Sequence, residues 1–189
     1  MTRTFLALEL PETVKAVLRR RIERLAHALP EIRFVDVAGL HLTLAFLGEL
    51  NEARLAAATE AAAEAASAHT PFTLQLASVG TFGSAHAPRV IWVGLAGEVA
   101  QLQALQSTTA DALAARGFTR EARPFAPHLT LARIKKRLSD AALTALTRAQ
   151  GESLPDTAWQ VEAISVMKSE LARPAARYTA LSRWPLATL

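Results

Sequence analysis

His41-Leu42-Thr43-Leu44-Ala45 recurs letter for letter as His128-Leu129-Thr130-Leu131-Ala132 in the second half of the chain. Each copy alternates polar and apolar residues, the pattern of a half-buried strand. Side chains on a strand alternate faces, so His41 and Thr43 project together while Leu42 and Leu44 enter the core. His128 and Thr130 do the same in the second copy. A single His-x-Thr reads as a packed or surface histidine. Two identical copies in matching contexts point instead to two related halves. If these pack about a pseudo-twofold axis, the two His-Thr pairs face each other across a groove. Histidine titrates near neutrality, so one imidazole can be a base while its twin is an acid. A threonine hydroxyl can donate to a non-bridging phosphate oxygen. In-line displacement at phosphorus needs a base on one side and an acid on the other, and this set supplies both. Two histidines are too few ligands for zinc, and neither copy has a Cys or a suitably spaced carboxylate beside it.

The flanking sequence alternates strands and helices. Residues 3–10 read as a strand, and Pro11 and Glu12 suit the first turn of a helix. Val14, Leu18, Ile22, Leu25 and Leu29 recur at helical spacing up to Pro30. The strand of the first pentapeptide covers residues 40–47 and closes at Gly48, and Asn51 caps a helix over residues 52–68. Residues 72–79 and 89–96 read as strands joined by a loop, residues 80–88, that carries Phe82 and His86. A helix from about residue 98 stops at Gly117. The second pentapeptide lies on a strand over residues 127–134, and Ser139 caps a helix to about residue 149. Residues 151–156 form a turn-rich linker, and strands over residues 161–168 and 177–184 follow. There is no regular βαβ rhythm, so an α+β fold with mostly antiparallel sheet is expected.

The 189 residues, 51% hydrophobic and 20% charged, suit a single domain, 1–189, of two lobes sharing a core. No apolar run is long enough to cross a bilayer and no signal peptide is evident, so a cytoplasmic protein is expected. The lack of cysteine excludes disulfides, thiol nucleophiles and thiolate metal sites. The net charge of +4, carried mostly by arginine, is compatible with RNA but on its own reads as an ordinary solvated surface.

With these residues in view, the sequence resembles the two-histidine (2H) phosphoesterase superfamily. Within it, the chain is most similar to the bacterial and archaeal RNA 2′,3′-cyclic phosphodiesterases, once described as 2′–5′ RNA ligases. The resemblance rests on the paired His-x-Thr motifs within His41-Leu42-Thr43-Leu44-Ala45-Phe46-Leu47-Gly48 and Pro127-His128-Leu129-Thr130-Leu131-Ala132-Arg133. It extends to the opening Arg3-Thr4-Phe5-Leu6-Ala7-Leu8-Glu9-Leu10-Pro11 and the ending Arg177-Tyr178-Thr179-Ala180-Leu181-Ser182-Arg183-Trp184-Pro185-Leu186. The resemblance implies a bilobal fold: two pseudo-symmetric lobes of mostly antiparallel sheet, helices outside and a central groove. It also implies hydrolysis of an RNA terminal 2′,3′-cyclic phosphate to a 2′-phosphate, with reverse 2′–5′ ligation, using no metal and no cofactor. By resemblance His41 is the general acid for the leaving 3′ oxygen, His128 is the base that activates water, and Thr43 and Thr130 hold phosphate oxygens. The residues themselves leave acid and base open, because the two motifs are alike. The expected partner is RNA with a 2′,3′-cyclic phosphate end, and the expected form is a monomer with no membrane attachment.

Phe46 and Arg133 end their strands and are candidates to sandwich the terminal base. Strict alternation puts both on the faces opposite the histidines, so this role needs a bulge near each strand end. Otherwise Phe46 is a core phenylalanine, whereas Arg133 beside such a strand reads as a phosphate or base contact. Lys135, Lys136 and Arg137 either hold upstream RNA or form a solvated loop. Arg19, Arg20, Arg21 and Arg24 read as a solvated helix face, His27 and His69 as surface residues, and His86 with Phe82 as a groove lip. Trp92, Trp159 and Trp184 read as core or lobe-packing residues. Two other readings use the same residues. One is a phosphodiesterase for a small cyclic nucleotide such as an ADP-ribose cyclic phosphate. The other is a non-catalytic RNA- or nucleotide-binding module, which would not need both histidines.

Overall fold

The computed structural model describes residues 1–152, 154–155, 157–170 and 176–188. Among these the elements run β1 (Thr2–Glu9), α1 (Glu12–Ala28), β2 (His41–Leu50), α2 (Glu52–Ser67), β3 (Phe72–Ser84), β4 (Ala87–Gly97), α3 (Val99–Ala115), β5 (His128–Arg133), α4 (Asp140–Gln150), β6 (Ala158–Val161), β7 (Ala163–Glu170) and β8 (Arg177–Pro185), with a single 3₁₀ turn at Val37–Gly39 before β2. The strands form two four-stranded sheets in the orders β2-β1-β7-β8 and β5-β4-β3-β6. Every pairing in both is antiparallel, so the α+β expectation holds.

The pentapeptides therefore lie on corresponding edge strands, one in each sheet. These two edges, β2 and β5, lie against each other. The lead-in to β2 ties the halves together further. Phe34 bridges to Ala132, and the Val35 amide donates to the Leu131 carbonyl at 2.8 Å.

Alternation along each strand sends one set of side chains to a shared interior. Leu6, Leu8, Leu42 and Leu44 from one sheet join Leu74, Ile91, Val93, Leu129 and Leu131 from the other in one apolar cluster, which all four helices also enter. The helices cover these faces in pairs: α2 lies on the first sheet with α3 against it, and α4 lies on β3 with α1 against it. The buried Ala58, Ala61, Ala62, Ala65 and Ala66 give α2 a face with little side-chain bulk, so α3 and the sheet can approach it closely. The helix starts are those expected. Asn51 Oδ1 accepts from the Arg54 amide at 2.9 Å and Ser139 Oγ from the Ala142 amide at 3.2 Å. Among the described residues no helix is long and apolar enough to cross a membrane.

Several expectations change. Residues 80–88 are not a loop: β3 runs on to Ser84 and β4 begins at Ala87, making one long hairpin with His86 at its tip. The glycines and prolines suggested a loop, but cross-strand pairing holds the segment extended. The strand expected over residues 161–168 is two strands in different sheets. β6 pairs with β3 and β7 with β1, and the chain crosses between sheets at Glu162. The turn-rich linker expected over residues 151–156 includes positions 153 and 156, which lie outside the described residues. Arg21 is not on a solvated face. It is 4% exposed, donates to the Ala149 carbonyl and pairs with Glu152, so it clamps α1 to the end of α4. His69 is half-buried, and its Nε2 meets the Thr108 hydroxyl of α3 at 2.9 Å.

Candidate active site

His41 and His128 each open their strand, and each ring is fixed by the same contact. His41 Nδ1 donates to the carbonyl of Gly39 at 2.8 Å, and His128 Nδ1 to that of Ala126 at 2.6 Å. In both cases the carbonyl lies two residues before the histidine. A carbonyl can only accept, so the hydrogen sits on Nδ1 and Nε2 is left to give or take a proton. Among the described residues neither Nε2 has a hydrogen-bond partner. Thr43 sits opposite Ala7 and Thr130 opposite Trp92, both half-buried and both on the face of their histidine.

A β-bulge follows each His-x-Thr. On β2 the register passes from Ala7↔Thr43 to Leu6↔Ala45, leaving Leu44 as the extra residue. On β5 it passes from Trp92↔Thr130 to Ile91↔Ala132, leaving Leu131 extra. One extra residue reverses the facing of the residues that follow, in β2 as far as a second bulge at Leu47. Phe46 therefore lies opposite Phe5, and Arg133 opposite Val90, on the histidine faces of their sheets. Phe46 is 72% exposed and so is no core phenylalanine, and its ring centroid lies 6.0 Å from that of Phe5. Arg133 is exposed as well. Lys135, Lys136 and Arg137 lie exposed just beyond β5.

The twins differ in what surrounds them. The His41 ring stacks at a tilt on Phe5, 4.5 Å between centroids, and meets Tyr178 edge-on at 4.9 Å. Burial among these rings pushes the His41 pKa below its ordinary 6.5, against the smaller upward effect of the Gly39 carbonyl. His128 meets Phe82 edge-on at 4.8 Å, with Trp92 at 6.5 Å.

Trp92 is thus not a core residue. Its neighbours Ile91 and Val93 are fully buried, so alternation turns the indole to the other face, beside His128. The indole lies flat across the sheet because Gly80 has no side chain: a Cβ there would come within 2.3 Å of it. Trp159 is buried in the core and Trp184 packs against it, as expected.

Phe82, expected with His86 at a groove lip, does lie against His128, whereas Phe5, Trp92 and Tyr178 were not singled out from sequence as neighbours of the histidines. For Trp92 the signal was present in the β-branched residues on either side. For Tyr178 there was none, because it comes from β8, the opposite edge of the sheet from β2, and reaches His41 only by its long side chain. Among the described residues no group of three His, Cys, Asp or Glu side chains gathers as a metal site.

A sequence model of the 2′-5′ RNA ligase superfamily matches residues 11–173. The chain belongs to this superfamily. A Geobacillus stearothermophilus protein named RNA 2′,3′-cyclic phosphodiesterase is 39% identical over 129 residues, which are 68% of this chain and 41% of that relative, so the chain spans less than half of it. An Aeropyrum pernix protein of the same name is 32% identical over 164 residues, 87% of this chain and 92% of the relative. Among solved structures, that of E. coli LigT complexed with 3′-AMP matches with a TM-score of 0.74 at 30% identity, covering 99% of both chains. The fold is thus shared with a solved structure over nearly the whole chain.

Proposed function

We propose that this chain is an RNA 2′,3′-cyclic phosphodiesterase that opens a terminal 2′,3′-cyclic phosphate to a 2′-phosphate, with His41 and His128 as its catalytic pair. The observation that carries this reading is the duplicated geometry: two His-Thr pairs on adjoining sheet edges, each imidazole tethered through Nδ1 with Nε2 open. The names of the relatives support the same activity.

In the proposed reaction His128 Nε2 takes a proton from water, and the resulting oxygen attacks phosphorus from the side opposite the 3′ oxygen. The bond from phosphorus to the 3′ oxygen breaks as His41 Nε2 delivers a proton to that oxygen. The 2′-phosphate leaves with His128 protonated and His41 neutral, and exchange with solvent restores both. This assignment of acid and base follows the family resemblance. Burial favours neutral His41 in the free protein, so the acid role draws on the substrate: a phosphodiester anion beside the ring favours the imidazolium. Thr43 and Thr130 donate to the non-bridging oxygens, and Phe46 and Arg133 contact the terminal base. Base–aromatic stacking of this kind is worth roughly 1–3 kcal/mol. The enzyme acts as a cytoplasmic monomer, needs no metal, and uses the whole chain, 1–189, as one bilobal domain; the single apolar cluster spanning both sheets supports this last point. A 5′-hydroxyl in place of water gives the reverse 2′–5′ ligation.

The test is incubation with an RNA bearing a 2′,3′-cyclic phosphate, in EDTA, followed by identification of the product. A 2′-phosphate is expected. A 3′-phosphate would reverse the assignment of the leaving oxygen, and no turnover without added metal would end the metal-free reading. Turnover of a mononucleotide cyclic phosphate but not of the RNA would move the substrate to small cyclic nucleotides.

A further inference from the structure

Tyr178 comes from β8, the far edge of the first sheet, yet it closes over the His41 site. Its ring meets His41 edge-on at 4.9 Å and Phe5 edge-on at 5.6 Å. It also lies directly on Gly39, where a Cβ would come within 2.9 Å of the Tyr178 ring. Gly39 is the residue whose carbonyl holds His41 Nδ1. One side chain therefore touches the imidazole, the aromatic ring on which it stacks, and the backbone that fixes its tautomer. The Tyr178 hydroxyl makes no hydrogen bond among the described residues, and the side chain remains 39% exposed.

We propose that Tyr178 is a positioning residue for His41: it clamps the imidazole by closing a three-ring cluster with Phe5, in which each ring touches the other two, and it shields the bond from Nδ1 to the Gly39 carbonyl from water. The inference rests on the two-histidine reading for its consequence in catalysis, but the clamp itself is a property of the free protein. The work falls to the ring and not the hydroxyl. It also accounts for a difference between the twins, since the histidine in the second sheet has no counterpart from β6, the strand that occupies the place of β8. The titratable and charged groups on the sheet face of His41 include Glu9, its cross-strand partner on β1, which accepts from the Ser165 hydroxyl; Tyr178 on β8; and Arg183 on β8, which pairs with Glu162, while His128 opens the adjoining edge strand. Glu9, Arg183 and His128 are unchanged by substitution at Tyr178, so they form a constant background.

The experiment compares Tyr178→Phe with Tyr178→Ala by two readouts: NMR titration of the His41 ring in the free protein, and the pH profile of cyclic-phosphate cleavage. In Tyr178→Ala the His41 titration is expected to move up toward that of an ordinary histidine, with His128 unmoved. Turnover is expected to fall on the order of 10–10²-fold, as for a small misplacement of a reacting group, with little change in KM. Tyr178→Phe is expected to match the parent in both readouts. An unmoved His41 titration in Tyr178→Ala overturns the clamp, and so does a loss in Tyr178→Phe as deep as in Tyr178→Ala. The titration needs no substrate, so it stands or falls separately from the phosphodiesterase reading. A folded-state spectrum in the same NMR experiment separates loss of the clamp from unfolding.

Discussion

At the scale of the residue, identical pentapeptides produce two histidines in unlike surroundings. Both are tethered by the carbonyl two positions back, in the segment that leads into each strand. The rings around them come from other strands and differ. His41, packed by Phe5 and Tyr178, favours the neutral form, and so does His69 for the same reason of burial. The unfolded chain therefore binds more protons than the folded one just below the ordinary value of 6.5. Stability from this source is fully present above that value and is lost as pH falls through the lowered folded pKa. Urea midpoints at neutral pH and at about pH 5.5 are expected to show a smaller acid-side loss in a His41→Gln, His69→Gln variant than in the parent. Equal losses would mean that burial does not set the charge of these rings. The motif residues were legible because a five-letter repeat with alternating polarity leaves few other meanings. The aromatic neighbours were not, because cross-strand contacts depend on a register that single segments do not encode.

At the scale of the element, the two bulges do the most to shape the site. Strict alternation from His41 and His128 puts Phe46 and Arg133 on the wrong faces. The extra residue directly after each His-x-Thr, Leu44 in β2 and Leu131 in β5, brings both round to the histidine side. The need for a bulge could be stated from sequence, but not its position, since Leu44 and Leu131 look like any inward leucine. The hairpin of β3 and β4 shows the opposite error. Gly80 suggests a loop, yet it is a strand residue kept small so that the Trp92 indole can lie across it. Gly80→Ala is accordingly expected to force the indole away from the sheet, to cost about 1–3 kcal/mol as overpacking does, and to change the tryptophan fluorescence. Urea unfolding followed by fluorescence checks both. A variant as stable as the parent with an unaltered spectrum would mean that the indole does not need the space. The divided strand at Glu162 was missed because a continuous run of apolar alternation carries no mark of a change of sheet.

At the scale of the whole molecule, the order of strands turns a repeat in sequence into a site. Each pentapeptide strand is the edge of its sheet, and the two edges adjoin, so the strand order brings the two halves of the chain together along the edges that carry the motif. The antiparallel α+β class and the duplication could be read in advance, since period-two patterns and a repeated motif are local. The pairing of α1 with α4 could not: it is fixed by Arg21, read from helical spacing as a solvated arginine but in fact buried and held by Ala149 and Glu152. The central claim is that the two imidazoles work on one phosphate from opposite sides. Its most direct test is the pH–rate profile of cyclic-phosphate cleavage in the parent, His41→Ala and His128→Ala. The account predicts a bell in the parent and turnover lower by roughly 10²–10⁴ in each variant. The alkaline limb should be lost in His41→Ala and the acid limb in His128→Ala. A bell that survives either substitution, or the same limb lost in both, would contradict it.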